Sequence, residues 1–376
     1  MVEVRAVKGK KGIRDFINVE WHIYKGDSKW VPPLISETKK TLSGKHNPVL
    51  RGPHVFYIAY KDGKPAGRVL AGINTVLNEK KSKKEGFISL FESINDRETA
   101  SLLFENVEKW MREQGMECIV GPVSITNADE DRGVLVKGFD GPPVLKNAYN
   151  YPYYESLFLE NGYEKHMDLF AFLFDSENLP IERFGRVVEY SMKKFNFHID
   201  SLNMSDIDGE IKDIKDILDR SMPESWEHIA PLTLEDIRDV FYSIKNLLDP
   251  DLVNLARNND NVPIGFVLAL PDYNQVLKKL NGRLLPLGVL KFLWYRRKIN
   301  GMRILMQFVV PEYRNKAVNS AIFYKLMLMG KKKGYVYGEG STIAEMNIES
   351  IRSVKGAGGK HYRTYRIYRK DLVSNG

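Results

Sequence analysis

One cysteine, Cys118, stands in 376 residues. That excludes a disulfide framework and any cysteine-built zinc site. Histidine is scarce as well: His22, His46, His54, His166, His198, His228 and His361 show no ligand spacing, and none pairs at i, i+4 on a helix. No metal centre is expected. No apolar run approaches the ~20 residues that cross a bilayer, so no transmembrane segment is expected. The stretch from Met1 to Gly12 is charged and has no apolar core of a secretory leader. The expected compartment is reducing, the cytoplasm.

What is present is 43% hydrophobic, 11% aromatic and 28% charged, a globular composition. At roughly 100–200 residues per domain the length holds two or three. The formal net charge is +8, and the excess cations fall almost wholly after residue 175. Such a balance suits a phosphorylated ligand and equally an ordinary soluble surface. A nucleic-acid partner is not favoured, because no RNA-binding module is recognisable.

The chain repeats itself. Lys64-Pro65-Ala66-Gly67-Arg68-Val69-Leu70-Ala71 and Val262-Pro263-Ile264-Gly265-Phe266-Val267-Leu268-Ala269 share the pattern x-Pro-x-Gly-x-Val-Leu-Ala. Each follows a strand-like run ending in Ala59 or Ala256, across turn residues (Asp62-Gly63; Asn258-Asn259-Asp260), and so reads as a hairpin. Later elements keep the same order. A strand over 87–91 precedes a helix capped at Asn95-Asp96, with Leu103, Val107, Trp110 and Met111 on one face. A strand over 303–310 precedes a helix with Ile322, Leu326 and Met329 on one face. Gly162 to His166 leads into a strand over 167–174, and Gly358 to His361 into one over 362–368. The spacing predicts an α/β fold of two copies of one unit, β-α-β-β-β-α-β-α-β, divided as 1–178 and 179–376, with a helical linker from Ile181 to Lys194.

The run Val309-Val310-Pro311-Glu312-Tyr313-Arg314-Asn315-Lys316-Ala317-Val318-Asn319 resembles motif A of the GNAT (Gcn5-related N-acetyltransferase) superfamily, roughly V-x-P-x-x-[QR]-x-x-G-x-[GA]. Asn347, opening a helix that ends near Gly358, is similar to the family's Asn-led helix. The whole chain resembles tandem GNAT proteins, a poorly characterised bacterial group sharing the phrases Gly138 to Pro143 and Tyr151-Pro152-Tyr153-Tyr154. The resemblance implies two GNAT-like domains, each a mixed, mostly antiparallel sheet flanked by helices. It implies an acyltransferase moving an acyl group, acetyl in the first place, from acetyl-CoA or a longer acyl-CoA to an unidentified small-molecule or peptide amine. A non-catalytic GNAT-fold binding protein and a FemX-like RNA-linked transferase are the alternatives. Monomer and homodimer both stay open.

The resemblance places the CoA diphosphate on Val309, Val310, Arg314, Asn315, Lys316, Ala317, Val318 and Asn319, with Asn347 nearby. The physical basis is a strand feeding a helix start, whose unpaired amides and dipole attract anions. A backbone N–H near Val309 or Val310 would face the thioester carbonyl. Four positions depart from the family: Asn315 stands where Gly is frequent, Ala317 and Asn319 replace small motif residues, and Val354 stands where the family has its acidic Tyr. Ala317 fits such a turn if its φ is negative. The first copy has no glycine between Glu92 and Ala100 and carries acids at its helix start, so it reads as degenerate.

Glu339 and Glu345 are the candidate bases, against a salt-bridged role for each. Alternation sets Tyr362 opposite Tyr365 on the last strand. Asp129-Glu130-Asp131 lies in a long loop, Ser124 to Asn150, that the second copy lacks. The stretch 284–298 is apolar and aromatic and ends in three cations. It reads as a lid, a membrane-surface helix or a helix packed on the core.

Overall fold

The computed structural model of the chain describes residues 1–44, 48–126, 130–179, 181–222 and 232–372. The first half runs β1 (Val2–Ala6), α1 (Gly9–Ile23), α2 (Ile35–Leu42), β2 (His54–Lys61), β3 (Lys64–Gly72), α3 (Thr75–Lys81), β4 (Glu85–Ser93), α4 (Arg97–Glu113), β5 (Cys118–Gly121), β6 (Val134–Lys137), α5 (Tyr154–Glu160) and β7 (Glu164–Asp175). Helix α6 (Ile181–Phe195) joins it to the second. That half runs β8 (Phe197–Ser201), α7 (Ile207–Ser221), α8 (Leu234–Ile244), β9 (Val253–Asn258), β10 (Pro263–Pro271), α9 (Asn274–Leu280), α10 (Gly288–Tyr295), β11 (Gly301–Val309), α11 (Val318–Lys332), β12 (Tyr337–Ala344), α12 (Ile348–Gly356) and β13 (Lys360–Asp371).

Both repeated phrases start the second strand of a hairpin, β2–β3 and β9–β10. Asp62 and Gly63 sit at φ 51° and 76° between the paired Lys61 and Lys64, the left-handed pair that a two-residue hairpin turn needs. Helix α4 buries Leu103, Val107 and Met111 completely, with Trp110 at the edge of the same cluster.

The strands form a single sheet in the order β1-β2-β3-β4-β5-β13-β7-β12-β11-β10-β9-β8, with β6 also pairing β13. The halves therefore exchange their last strands. β13 lies against β5 of the first half, Tyr368 opposite Gly121. β7 lies against β12 of the second, Gly338 opposite Phe174. The division near residue 178 cuts the chain but not the sheet. Alternation fails at the start of β13: the register shifts between His361 and Arg363, and Tyr362 packs beside the cluster that contains Tyr365 rather than on the opposite face.

The first half is pinned by a buried charge group. Arg68 donates to the Phe16 carbonyl at 3.0 Å and pairs with Glu20, with Glu92 4.0 Å away. The Glu92 carboxylate accepts from the Tyr24 and Tyr154 hydroxyls at 2.8 and 2.6 Å. One guanidinium thus faces two carboxylates where water is excluded. Burial first, and the charge of Glu20 second, push the Glu92 carboxyl up to about 8. A raised folded pKa means that this group's contribution to stability is full below its unfolded value and is lost as pH rises through about 8. Glu92→Gln keeps an acceptor for both tyrosines and has no proton to lose. Urea melts at pH 5 and pH 8.5 are expected to show that the variant flattens the decline, which for one group reaches at most ~1.4 kcal/mol per pH unit. Equal slopes in both proteins would exclude Glu92 as the titrating group.

Candidate functional site

The parallel strands β11 and β12 pair only from Gly301↔Tyr337 to Ile304↔Gly340. Beyond that point β11 runs on with β10 alone, while β12 stays with β7, its register shifting between Gly340 and Ile343. The register shift between Leu268 and Ala269 of β10 falls at the divergence. A cavity of about 900 Å³ opens in the gap. Residues 304–308 and 340–344, Asn319, Ser320 and Phe323 of α11, and Asn347 and Val354 of α12 line its near end. It continues past Met167 and Ile367 of the exchanged strands to Phe87, Val120, Val123 and Val49 of the first half. Most of its wall is aliphatic or aromatic.

The motif-A turn lies at the head of the gap. The Val310 amide donates to the Ile264 carbonyl at 3.0 Å, toward β10. Alternation along the strand turns the N–H groups of Val309 and Gln307 the other way, into the gap. After a 3-10 turn over Pro311–Tyr313, Ala317 adopts φ 57°, ψ 16°. The negative φ on which an easy fit of Ala317 depends is not found. The turn keeps the left-handed geometry that glycine takes freely and that costs another residue about 1–2 kcal/mol.

Helix α11 then begins with no side-chain cap and no acid in its first turn, so the amides of Val318, Asn319 and Ser320 have no partner within the helix. The matching helix of the first half is shut: Asp96 accepts the Thr99 amide at 3.0 Å, Glu98 sits in the first turn, and Lys61 pairs with Asp96 at 2.6 Å.

Asn319 spans the head of the cavity. Its Oδ1 accepts from Gln307 Nε2 at 2.6 Å and its Nδ2 donates to Ser353 Oγ at 3.1 Å. It ties β11 to α12 and forms wall rather than filling the space. Arg314 holds the turn from behind, donating to the carbonyls of Ser221 at 3.1 Å and Val309 at 3.4 Å. Lys316 places its ammonium 4.3 Å from the Tyr313 ring centroid, and Asn315 is exposed. Val309, Val310 and Val318 are buried beneath. Asn347 caps α12 through the Ser350 amide at 3.1 Å and lines the cavity. Of the motif residues named from the sequence, Asn319 and Asn347 reach the cavity by side chain.

Glu339 is fully buried behind the wall. Its oxygens accept from Asn147 Nδ2 at 2.8 Å, Ser341 Oγ at 2.7 Å and the Tyr362 hydroxyl at 3.1 Å, and Arg303 lies 3.7 Å away. Burial pushes its carboxyl above the ordinary range, against the pull of Arg303 and the three donors. Ser341 lines the cavity and stands between it and Glu339. Glu345 accepts from the Asp168 amide at 3.0 Å and from Lys165 at 2.7 Å, which ties the end of β12 to β7. Neither carboxylate is among the cavity's lining residues.

The long loop absent from the second half braces this centre. Arg363 of β13 donates to the carbonyls of Gly138, Asp140, Gly141 and Pro142 at 2.6–3.0 Å. That accounts for the Gly138 to Pro143 phrase: its carbonyls wrap one buried guanidinium. Glu130 is held by Thr126 at 2.6 Å and Lys146 at 3.4 Å; Asp129 lies outside the described residues.

The sequence did not single out Gln307, Ser320, Ser341 or His166 for the site. Four ionisable side chains line the cavity among the described residues: Glu85, Arg132, His166 and Glu349. The signal for His166 was present in the repeat, where Gly162 to His166 aligns with Gly358 to His361. His361, by contrast, packs its ring 4.8 Å from that of Phe170, away from the cavity lining. No cluster of three His, Cys, Asp or Glu able to hold a metal occurs among the described residues.

No family model matches the chain. It is 28% identical to the protein YghO of Escherichia coli (strain K12) over 98% of this chain and 95% of that one. It is also 28% identical to the bacterial ceramide synthase of Caulobacter vibrioides, over 99% and 98% of the two chains. Among solved structures, a tandem GNAT protein from the clavulanic acid biosynthesis pathway superposes over the whole of both chains with a TM-score of 0.59 at 8% identity. The exchanged sheet, the parallel strand pair in each half and this end-to-end superposition make the chain a tandem GNAT-fold protein.

Proposed function

We propose that the chain is an N-acyltransferase that moves a long acyl group from acyl-CoA to the amine of a lipid-like acceptor, with the chemistry in the second half. The observation that carries this reading is the cavity: it starts at the open amides of α11 and runs on into the first half as a mainly apolar space past Met167, Ile367, Val120 and Phe87, with Glu85, Arg132 and His166 also in its wall. A diphosphate fits the first feature and a hydrocarbon chain the second. An acetyl group needs no such volume. Similarity to a bacterial ceramide synthase supports an acceptor of the long-chain amino-alcohol class, because a ceramide is the amide of one.

The transfer is an attack of the amine nitrogen on the thioester carbonyl carbon. The C–N bond forms, the C–S bond breaks, the thiolate leaves, and the amine gives up a proton. The N–H groups of Gln307 and Val309 supply donors where negative charge gathers on the carbonyl oxygen. His166 is our assignment for the base, since it is the imidazole that lines the cavity among the described residues. Ser341 is the hydroxyl through which the buried Glu339 communicates with the cavity. Val354 leaves the thiolate without the family's tyrosine, so its proton comes from solvent.

Calorimetric titration tests the donor. At ~0.8 kcal/mol per buried methylene, four methylenes are worth about two orders of magnitude. Palmitoyl-CoA is expected to bind at least ~100-fold more tightly than acetyl-CoA, and with a long-chain amino alcohol present mass spectrometry is expected to find the amide. Equal affinity for the two donors, or no heat with either, removes the proposal.

A further inference from the structure

Helix α10 breaks the rule for a surface helix. Gly288, Phe292 and Tyr295 form its inward face, with Phe292 stacked on Tyr273 at 5.7 Å and 12°. The outward face ought to be polar. It carries Leu290, Leu293 and Trp294 instead, and the turn before it adds Leu285 and Leu287. These five side chains are between 49% and 76% exposed. A contiguous apolar patch of this kind is a contact surface. Packing on the core, one of the three readings open from the sequence, accounts for one side of the helix only.

Charge says what the patch meets. Residues 281–300 contain no Asp or Glu, while Arg283, Lys291, Arg296, Arg297 and Lys298 are all exposed around it. Lys298 holds its ammonium 3.5 Å from the Trp294 ring centroid. Exposed leucines and a tryptophan bordered by cations, without one anion, complement an anionic bilayer surface. The apolar side chains enter the acyl boundary, Trp294 sits at headgroup level, and the cations meet lipid phosphates. A protein partner built for water would leave such a patch paired with acids or covered by apolar surface. No helix among the described residues is long and apolar enough to cross a membrane, so contact through this surface is contact from one side.

We propose that residues 284–298 dock the protein on anionic lipid bilayers. The proposal stands apart from acyl transfer, and neither readout below involves acyl-CoA. The full chain is floated on vesicles of phosphatidylcholine alone or with about one-third phosphatidylglycerol. Wild type is expected to float with the anionic vesicles and at least about ten-fold less with the neutral ones. Brominated lipid is expected to quench its tryptophan fluorescence, and Trp294→Phe to lose that quenching. The double variant Leu290→Glu, Leu293→Glu is expected to stay in the soluble fraction with an unchanged thermal melt, since both side chains already face outward. Any of three results overturns the proposal. Wild type does not float; the double variant floats as well as wild type; or the chain self-associates in solution and the double variant makes it monomeric, which gives the patch to a second copy.

Discussion

Ser320→Asp is expected to lower affinity for palmitoyl-CoA at least ~100-fold and to leave the melting temperature unchanged or slightly raised. Ser320 is the third residue of α11 and lines the cavity beside amides without helical partners. A carboxylate there does what Asp96 and Glu98 do at the start of α4: it answers the amides from within the chain. Acids in a first helical turn stabilise by ~0.3–1 kcal/mol. A bound diphosphate meets the same charge as repulsion. At ~4 Å and an effective dielectric near 20, one pair of like charges costs about 4 kcal/mol, more than the ~2.7 kcal/mol that a 100-fold loss represents. Opposite signs on stability and binding separate this effect from misfolding. Ser320→Ala, which brings no charge, is expected to bind within a few-fold of wild type. Calorimetry and thermal melts on the three proteins decide it. Undiminished binding by the aspartate variant would place the diphosphate elsewhere.

The repeat was legible because hairpins advertise themselves locally. Asp62-Gly63 and the two x-Pro-x-Gly phrases write turn and strand start in a few adjacent residues, and β2–β3 and β9–β10 form there. Helix faces were equally local: Leu103, Val107 and Met111 repeat at helical spacing, and all three are buried. Strand exchange has no such signature. β7 and β13 are aromatic strands of the same length, each preceded by a Gly-to-His turn, and either can satisfy either edge. What decides is long-range. Arg363 takes the carbonyls of the 138–142 loop, and Arg366 takes Asp168 and Glu155, so β13 is fixed beside first-half elements by charge-assisted bonds from residues far away in the chain. The register shift at His361/Arg363, which puts Tyr362 beside Tyr365, comes from the same anchoring and defeats alternation.

At the site, the motif told where the anion cradle lies but not how its substitutions are absorbed. Ala317 sits in the glycine conformation, so this turn tolerates strain that negative φ would have avoided. Asn319 looks obstructive in the sequence. In the fold it finds Gln307 and Ser353 and lies along the wall. Neither partner is near it in sequence. His166 was hidden for a related reason: its place at the cavity depends on β7 having crossed to the other half's sheet.

Glu339→Ala is expected to cost about 3–5 kcal/mol of stability, the range for breaking a buried ion pair from one side. The guanidinium of Arg303 is wholly buried and would lose its carboxylate, while Asn147, Ser341 and Tyr362 would each lose an acceptor. These donors come from the long loop, β12 and β13, so the loss would loosen the junction of the exchanged strands and not one side chain alone. Glu339→Gln keeps one acceptor oxygen and is expected to cost distinctly less. Replacing Arg303 and Glu339 together by methionine removes both charges and is expected to recover much of the loss, because the ion pair's net worth is small once neither ion needs solvating. Urea melts of Arg303→Met, Glu339→Met and the double variant close a cycle with wild type whose coupling term measures the pair. The alanine and glutamine variants discriminate the two roles open to Glu339. A base loses turnover in Glu339→Gln by orders of magnitude with the melt hardly moved; a brace loses stability in Glu339→Ala, and Glu339→Gln keeps its turnover. The bonds that occupy both carboxylate oxygens, and the absence of Glu339 from the cavity wall, favour the brace.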